Sequence, residues 1–138
     1  MCQTLRTAAM KFFETSTRNL LASEAAAGVR HHVALSVVGS ERMLDGGYIR
    51  ATIAQENLIK GSSIPYSIIR ATQFFESVKA IADFSTRCNE ALLPPVLIQS
   101  MAASDVASEV ARIAVGARLN GIIGIGGQRE ARRPSVPA

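Results

Sequence analysis

A glycine-rich string near the carboxyl end of the chain has the composition of a phosphate-binding loop. It runs Gly121-Ile122-Ile123-Gly124-Ile125-Gly126-Gly127. Such a loop holds phosphate when a helix begins directly after it, because the backbone N–H groups and the helix N-terminus then point at the anion. Here the string leads into Arg132, Arg133 and Pro134 instead. The pattern therefore predicts a last strand and its turn.

Metal ligands and reactive thiols are sparse. His31 and His32 stand side by side at the entry to an apolar run, so on a strand their side chains face opposite ways. Cys2 and Cys88 lie far apart and belong to no CxxC pair or His/Cys cluster. These patterns predict neither a metal site nor a disulfide framework. A reducing, cytoplasmic location is the expectation.

Charge and hydropathy exclude several classes of partner. The net charge is +4, and half of it comes from the three arginines and one glutamate of the segment 129–138. Basic residues are not clustered on one element or interleaved with aromatic residues, so we predict no nucleic-acid partner. No apolar run approaches the length of a membrane span, and the N-terminus has no signal-peptide apolar region. We expect 129–138 to be a disordered basic tail.

Helical periodicity appears in four segments of a chain whose 138 residues, 48% of them apolar, suit a single domain with an aliphatic core. The first helix is predicted from Leu5 to Ala26 and stops at Gly28, and the second follows Gly46 and Gly47 and stops at Gly61. The third runs through 74–84, and the fourth from Asp105 to about Gly116 with Ser104 as its N-cap. The five phenylalanines fall at helical spacings typical of core positions.

Short apolar runs lie between these helices. They span 31–39, 64–71, 96–98 and 121–125. Nearly continuous apolar runs are typical of parallel strands that are covered on both faces. Alternation of helices and strands predicts an α/β fold with a doubly wound parallel sheet.

The stretch from Phe12 to about Asn120 resembles the NmrA-like atypical branch of the short-chain dehydrogenase/reductases, which bind NAD(P) on a Rossmann sheet. The segments that carry the resemblance are Ser16-Thr17-Arg18-Asn19-Leu20-Leu21, His31-His32-Val33-Ala34-Leu35-Ser36-Val37-Val38-Gly39, Gly47-Tyr48-Ile49-Arg50-Ala51, Ile64-Pro65-Tyr66-Ser67-Ile68-Ile69-Arg70-Ala71-Thr72-Gln73-Phe74 and Met101-Ala102-Ala103-Ser104-Asp105-Val106-Ala107.

The resemblance implies that 1–128 is the C-terminal portion of a Rossmann-like domain. Its first helix corresponds to the family's fourth, and its two clear strands to the family's fifth and sixth. The family's first strand and glycine-rich pyrophosphate turn have no counterpart here. We therefore expect a gene product truncated at its start, or one whose upstream coding region is not included, with no tight binding of NAD(P).

The resemblance also marks a candidate active site. In the family, a Ser at the end of the fifth strand binds the substrate carbonyl, a Tyr on the next helix donates a proton, and a Lys four residues later contacts the nicotinamide ribose. Their counterparts are Ser36 or Ser40, Tyr48 and Thr52. A free tyrosine titrates near 10, and Thr52 supplies no cation to bring it toward neutral pH. Tyr48 either acts as a weakened proton donor, or it packs at the helix entry or hydrogen-bonds a cofactor without proton transfer.

The turn after the sixth strand is the second candidate site. The resemblance sets Ala71-Thr72-Gln73-Phe74 beside the nicotinamide. Thr72 and Gln73 offer a hydroxyl and an amide, and Phe74 offers a wall for a ring. In the structural alternative, Thr72 caps the following helix and Phe74 lies in its core.

Three functions remain open. The first is an NAD(P)-dependent oxidoreductase of a small carbonyl or quinone-like substrate, with activity impaired or lost in this chain. The second is a non-catalytic NAD(P)-sensing or regulatory module, and the third is a fragment without activity of its own. Loss of the preceding strands would leave His32 to Val38 as an exposed, apolar edge, so we also predict self-association.

Overall fold

The structure is a computed structural model that describes residues 2–40, 47–77, 86–87, 90–91 and 99–127. Its elements in chain order are α1 (Cys2–Ala26), β1 (His32–Val37), α2 (Gly47–Lys60), β2 (Tyr66–Ala71), β3 (Thr86–Arg87), β4 (Glu90–Ala91), α3 (Ala103–Val115) and β5 (Gly121–Ile125). None of the helices in the described residues is long and apolar enough to cross a membrane.

A parallel sheet of three strands organises these elements in the order β1-β2-β5. Val33 lies opposite Ser67 and Ser36 opposite Arg70, so the predicted parallel pairing of the first two strands is confirmed. The string at 121–125 pairs with β2 and is also a strand, as predicted. The two-residue strands β3 and β4 form a separate antiparallel pair that the sequence did not predict.

Helices cover both faces of this sheet, which explains why β2 is largely buried. Arg70 points to α2, where it binds Glu56, whereas the next residue, Ala71, packs with Val106 of α3. Successive side chains of a strand face opposite sides, so α2 and α3 lie on opposite faces of the sheet. Ile68 and Ile69 on β2 are fully buried between these layers, and α1 packs against α2. The structure is therefore α/β, as the sequence predicts.

The ends of α1 and α3 are set by different devices. Gly28 ends α1 in the left-handed conformation, with a φ of 70°, which is the predicted stop. The predicted N-cap of α3 is wrong, because the helix begins at Ala103 and Ser104 lies inside its first turn. Both carboxylate oxygens of Glu76 lie 3.2 Å from the Ala103 nitrogen and accept its N–H. The carboxylate of Glu76 thus caps the N-terminus of α3 in place of Ser104.

The segment predicted as the third helix departs from expectation at its start. Phe74 forms an isolated parallel bridge with Met101, and the described residues that follow it, 75–77, are helical. Phe12 and Phe75 are exposed, so assigning them to the core is wrong. The remainder of that predicted helix, the run at 96–98 and the tail at 129–138 lie outside the described residues.

Candidate functional site

An open cleft of about 270 Å³ lies at the carboxyl ends of β1 and β2. Ligands of open α/β sheets collect at this edge, where the strands end and the chain turns into the next helix. Its lining includes five apolar side chains and five with polar groups, from β1, β2, α2 and the turn after β2. They are Leu35, Ser36, Val37, Tyr48, Ile49, Ala71, Thr72, Gln73, Phe74 and Ser77.

Tyr48 reaches the cleft from the first turn of α2. Its side chain is largely exposed, and its ring meets Phe13 of α1 edge to face, with 5.7 Å between centroids and an interplanar angle of 86°. Edge-to-face packing holds the ring in place and leaves the phenol group accessible. The tyrosine therefore both packs at the helix entry and lines the cleft.

Thr52 lies one helical turn beyond Tyr48, but it is not among the lining residues. It is buried, and its hydroxyl donates to the Tyr48 carbonyl over 3.0 Å. Hydroxyls inside helices commonly bond to the carbonyl four residues earlier in this way. The proposed contact of Thr52 with a cofactor remains a prediction, and its hydroxyl already has a partner.

Of the two candidate serines, Ser36 is the one that lines the cleft. Its Oγ donates to Oε1 of Glu56 on α2 over 2.5 Å. Ser40 is fully buried outside the cleft lining, and its Oγ has no hydrogen-bond partner among the described residues.

Glu56 is the centre of a buried ionic network behind the cleft. Arg70 Nε donates to Oε1 over 2.9 Å and Arg70 Nη2 to Oε2 over 2.7 Å, while Lys60 Nζ lies 3.6 Å from Oε2. Burial raises the pKa of Glu56, but the hydrogen bonds from Arg70 and Ser36 and the charges of Arg70 and Lys60 outweigh it, so the pKa lies below the ordinary 4.5. The carboxylate is therefore anionic at neutral pH.

Local structure explains how these groups meet. Tyr48, Thr52 and Glu56 follow one another at four-residue spacing on α2, and such residues share one helical face. Ser36 and Arg70 are register partners on neighbouring strands and present their side chains to the same face of the sheet. Glu56 is not among the site residues predicted from the sequence. The signal was Arg70, a charged residue in a buried strand, which requires an ionic partner.

The turn after β2 contributes both backbone and side chains to the cleft. The Thr72 N–H donates to the Ile125 carbonyl, while its Oγ1 is buried with no hydrogen-bond partner in the described part of the chain. The alternative in which this hydroxyl caps a helix is therefore not observed. Phe74 lines the cleft and also packs against the cluster of Ala71, Met101 and Val106.

The two histidines make separate structural contacts outside the cleft. His31 Nε2 lies 2.8 Å from Ser67 Oγ, and His32 Nδ1 lies 2.8 Å from Oε2 of Glu24 on α1. The described ranges contain no group of three or more His, Cys, Asp or Glu residues that could hold a metal ion. His31 is thus linked to β2, and His32 links β1 to α1.

Comparisons with protein-family models, with curated proteins and with solved structures find no match for this chain.

Proposed function

We propose that the cleft is the nicotinamide and substrate end of an NAD(P)-binding site of the NmrA-like type, in a cytoplasmic oxidoreductase-like protein whose catalytic activity is impaired or absent. The observation that carries this proposal is the convergence of Ser36, Tyr48 and the turn from Ala71 to Phe74 on one cleft at the carboxyl edge of a parallel sheet. These are the positions that the resemblance marks, and this is the edge where cofactors of such sheets bind.

Two observations support impaired chemistry. Thr52 offers no positive charge beside Tyr48, and its hydroxyl is bound to the helix backbone. Ser36 donates its proton to Glu56, away from any substrate carbonyl. A proton donor and a carbonyl-polarising hydroxyl are therefore both weakened, while the lining that would bind a ring and its substituents is intact.

A non-catalytic NAD(P)-sensing module is the second candidate, and the buried Thr52 favours it. Binding of a nicotinamide group requires the cleft walls, whereas hydride transfer to a carbonyl or quinone-like substrate also requires a proton source. A cleft of this composition suits the first task better than the second. We propose no nucleic-acid or membrane partner for either function.

The cleft volume limits which ligand to test. About 270 Å³ accommodates a nicotinamide ring with part of its ribose and is too small for a whole dinucleotide. The part of the glycine-rich string from Gly121 to Ile125 forms strand β5, so this part is not a pyrophosphate-binding turn. Nicotinamide mononucleotide is therefore the appropriate probe, and we expect a Kd of about 1 mM or weaker.

Ligand-observed saturation-transfer NMR with nicotinamide mononucleotide and AMP tests the proposal. Ser77→Phe introduces a ring at the edge of the cleft and should weaken binding of the mononucleotide by about fivefold or more. Ser108→Phe introduces the same ring at an exposed position on α3 and should leave binding unchanged. Equal binding of AMP, or equal effects of the two variants, would contradict the proposal.

A further inference from the structure

The direction of the hydrogen bond between Ser36 and Glu56 is fixed by charge. Glu56 is 2% exposed, and Arg70 holds both of its carboxylate oxygens. An ionised carboxylate accepts hydrogen bonds and donates none. Ser36 must therefore be the donor. Its single hydroxyl proton is used in the bond to the buried Glu56 carboxylate.

The bond to Glu56 determines which further hydrogen bonds Ser36 can form in the cleft. A serine hydroxyl has one proton and two lone pairs. Within the described residues no donor reaches Ser36 Oγ, and the residue lines the cleft. Its remaining hydrogen-bonding capacity is thus that of an acceptor. Hydrogen bonding to the carboxylate also polarises the hydroxyl and strengthens it as an acceptor.

We propose that Ser36 determines ligand specificity as a hydrogen-bond acceptor, so that the cleft selects small planar ligands presenting an N–H or O–H group and rejects those presenting only a carbonyl or carboxylate. Glu56 is the positioning residue that orients the serine. The inference rests on the proposed function only in treating the cleft as a ligand site. It reverses the carbonyl-binding role that the resemblance implies for Ser36.

The rest of the lining defines the ligand's shape. Ile49 from α2 and Phe74 from the turn after β2 supply apolar walls that suit a single aromatic ring. A donor on that ring pairs with Ser36, whereas a carbonyl or carboxylate oxygen meets the serine lone pairs and leaves both acceptors without a proton. Sites built to pair with a specific polar group discriminate strongly against analogues that lack it.

Three benzene derivatives of similar size separate these cases. Benzamide carries N–H donors, acetophenone keeps the carbonyl without a donor, and benzoate carries only anionic acceptors. Saturation-transfer NMR titrations of the unaltered chain should give benzamide an affinity about tenfold above that of acetophenone, with benzoate weakest. Acetophenone or benzoate binding as tightly as benzamide would overturn the proposal, and so would the absence of benzamide binding.

Ser36→Ala assigns the preference to the serine. Glu56 keeps both of its bonds to Arg70 in this variant, and we expect the preference for benzamide to fall to within about twofold. Ser77→Ala removes a hydroxyl from the same cleft and should retain the preference. A preference that survives Ser36→Ala overturns the assignment. If Ser36→Ala does not fold, the three titrations of the unaltered chain still decide between donor and carbonyl selection.

The test separates this inference from the proposed function. Preference for benzamide together with failure of nicotinamide mononucleotide to bind upholds the donor selectivity and refutes the nicotinamide assignment. Binding of the mononucleotide without a preference among the three rings upholds the nicotinamide assignment and refutes the donor selectivity.

Discussion

The Thr52 hydroxyl donates to the carbonyl of Tyr48 one turn earlier, on the buried side of α2. A lysine at this position would bring an ammonium group toward the accessible end of the Tyr48 side chain. Long basic side chains can bury their stems and extend the charge to a polar site. Under the proposed function, the missing charge at position 52 weakens the proton donor, and the bond of Ser36 to Glu56 is the second weakening feature.

We expect Thr52→Lys to raise the rate of NADPH oxidation with menadione, a quinone, by about tenfold or more, because a nearby cation favours proton transfer from the tyrosine. Absorbance at the NADPH band measures this rate. Thr52→Met is the matched control, since it has similar length without charge. Equal rates in the two variants would rule out a decayed catalytic site. Unchanged rates with unchanged nicotinamide binding would favour the sensing function.

The sequence indicates candidate cleft residues, whose roles stay predictions, but it does not indicate the buried ionic network behind them. Ser36, Tyr48 and the turn after β2 were selected from the sequence, and the structure brings them to one cleft. Glu56 was missed because a glutamate on an amphipathic helix resembles an exposed surface residue in the sequence. Its burial depends on Arg70, which approaches from a neighbouring strand, and on Ser36 opposite it.

At the scale of elements, the ion pair of Glu56 with Arg70 joins α2 to β2 beneath the cleft. Removing one member of a buried pair leaves an uncompensated charge, which commonly costs about 3–5 kcal/mol. Replacing both members by apolar residues of similar volume removes that charge. The geometry therefore predicts opposite outcomes for single and double substitutions.

Arg70→Met should lower the free energy of unfolding by about 3 kcal/mol, whereas the double variant Glu56→Met/Arg70→Met should recover most of that loss. Urea denaturation at pH 7 measures both. Arg112→Met is a suitable control, because Arg112 pairs with Glu109 at an exposed position of α3, where ion pairs contribute at most about 1 kcal/mol. A double variant as unstable as Arg70→Met alone would show that the Glu56 charge is not the cause.

Acid should weaken the same connection. The pKa of Glu56 is below 4.5 in the folded chain, so the carboxylate contributes to the free energy of unfolding fully above its ordinary pKa, and the contribution falls as pH drops through the folded pKa. We expect urea midpoints to decline below about pH 4.5, and to decline less in the Glu56→Met/Arg70→Met variant. Identical pH profiles for the two proteins would contradict this origin of acid sensitivity.

The ends of the helices and strands show which parts of the fold are determined by neighbouring residues in the sequence and which by distant ones. Gly28 ends α1 as the sequence indicates, because a left-handed residue terminates a helix without help from distant groups. The start of α3 was missed by two residues because its cap comes from Glu76, in another segment. The pairing of β1 with β2 was predicted, since two apolar runs separated by one helix are typical of parallel neighbours.

At the scale of the whole molecule, β1 has one strand neighbour in the described part of the chain, namely β2. Leu35 on this strand and Ile122 on β5 are large apolar side chains with substantial exposure. An uncovered strand edge beside apolar surface favours pairing with a second chain. Self-association through β1 therefore remains our prediction.

Leu35→Lys should shift the chain toward lower mass in size-exclusion chromatography with light scattering, because a lysine on an edge strand opposes pairing between chains. Leu119→Lys is the matched control: Leu119 is 47% exposed against 44% for Leu35, but it precedes β5 and lies outside the β1 edge. If association reflected general surface hydropathy, the two substitutions would have equal effects. A larger shift for Leu35→Lys assigns the contact to β1, whereas a single monomeric peak for the unaltered chain would refute association altogether.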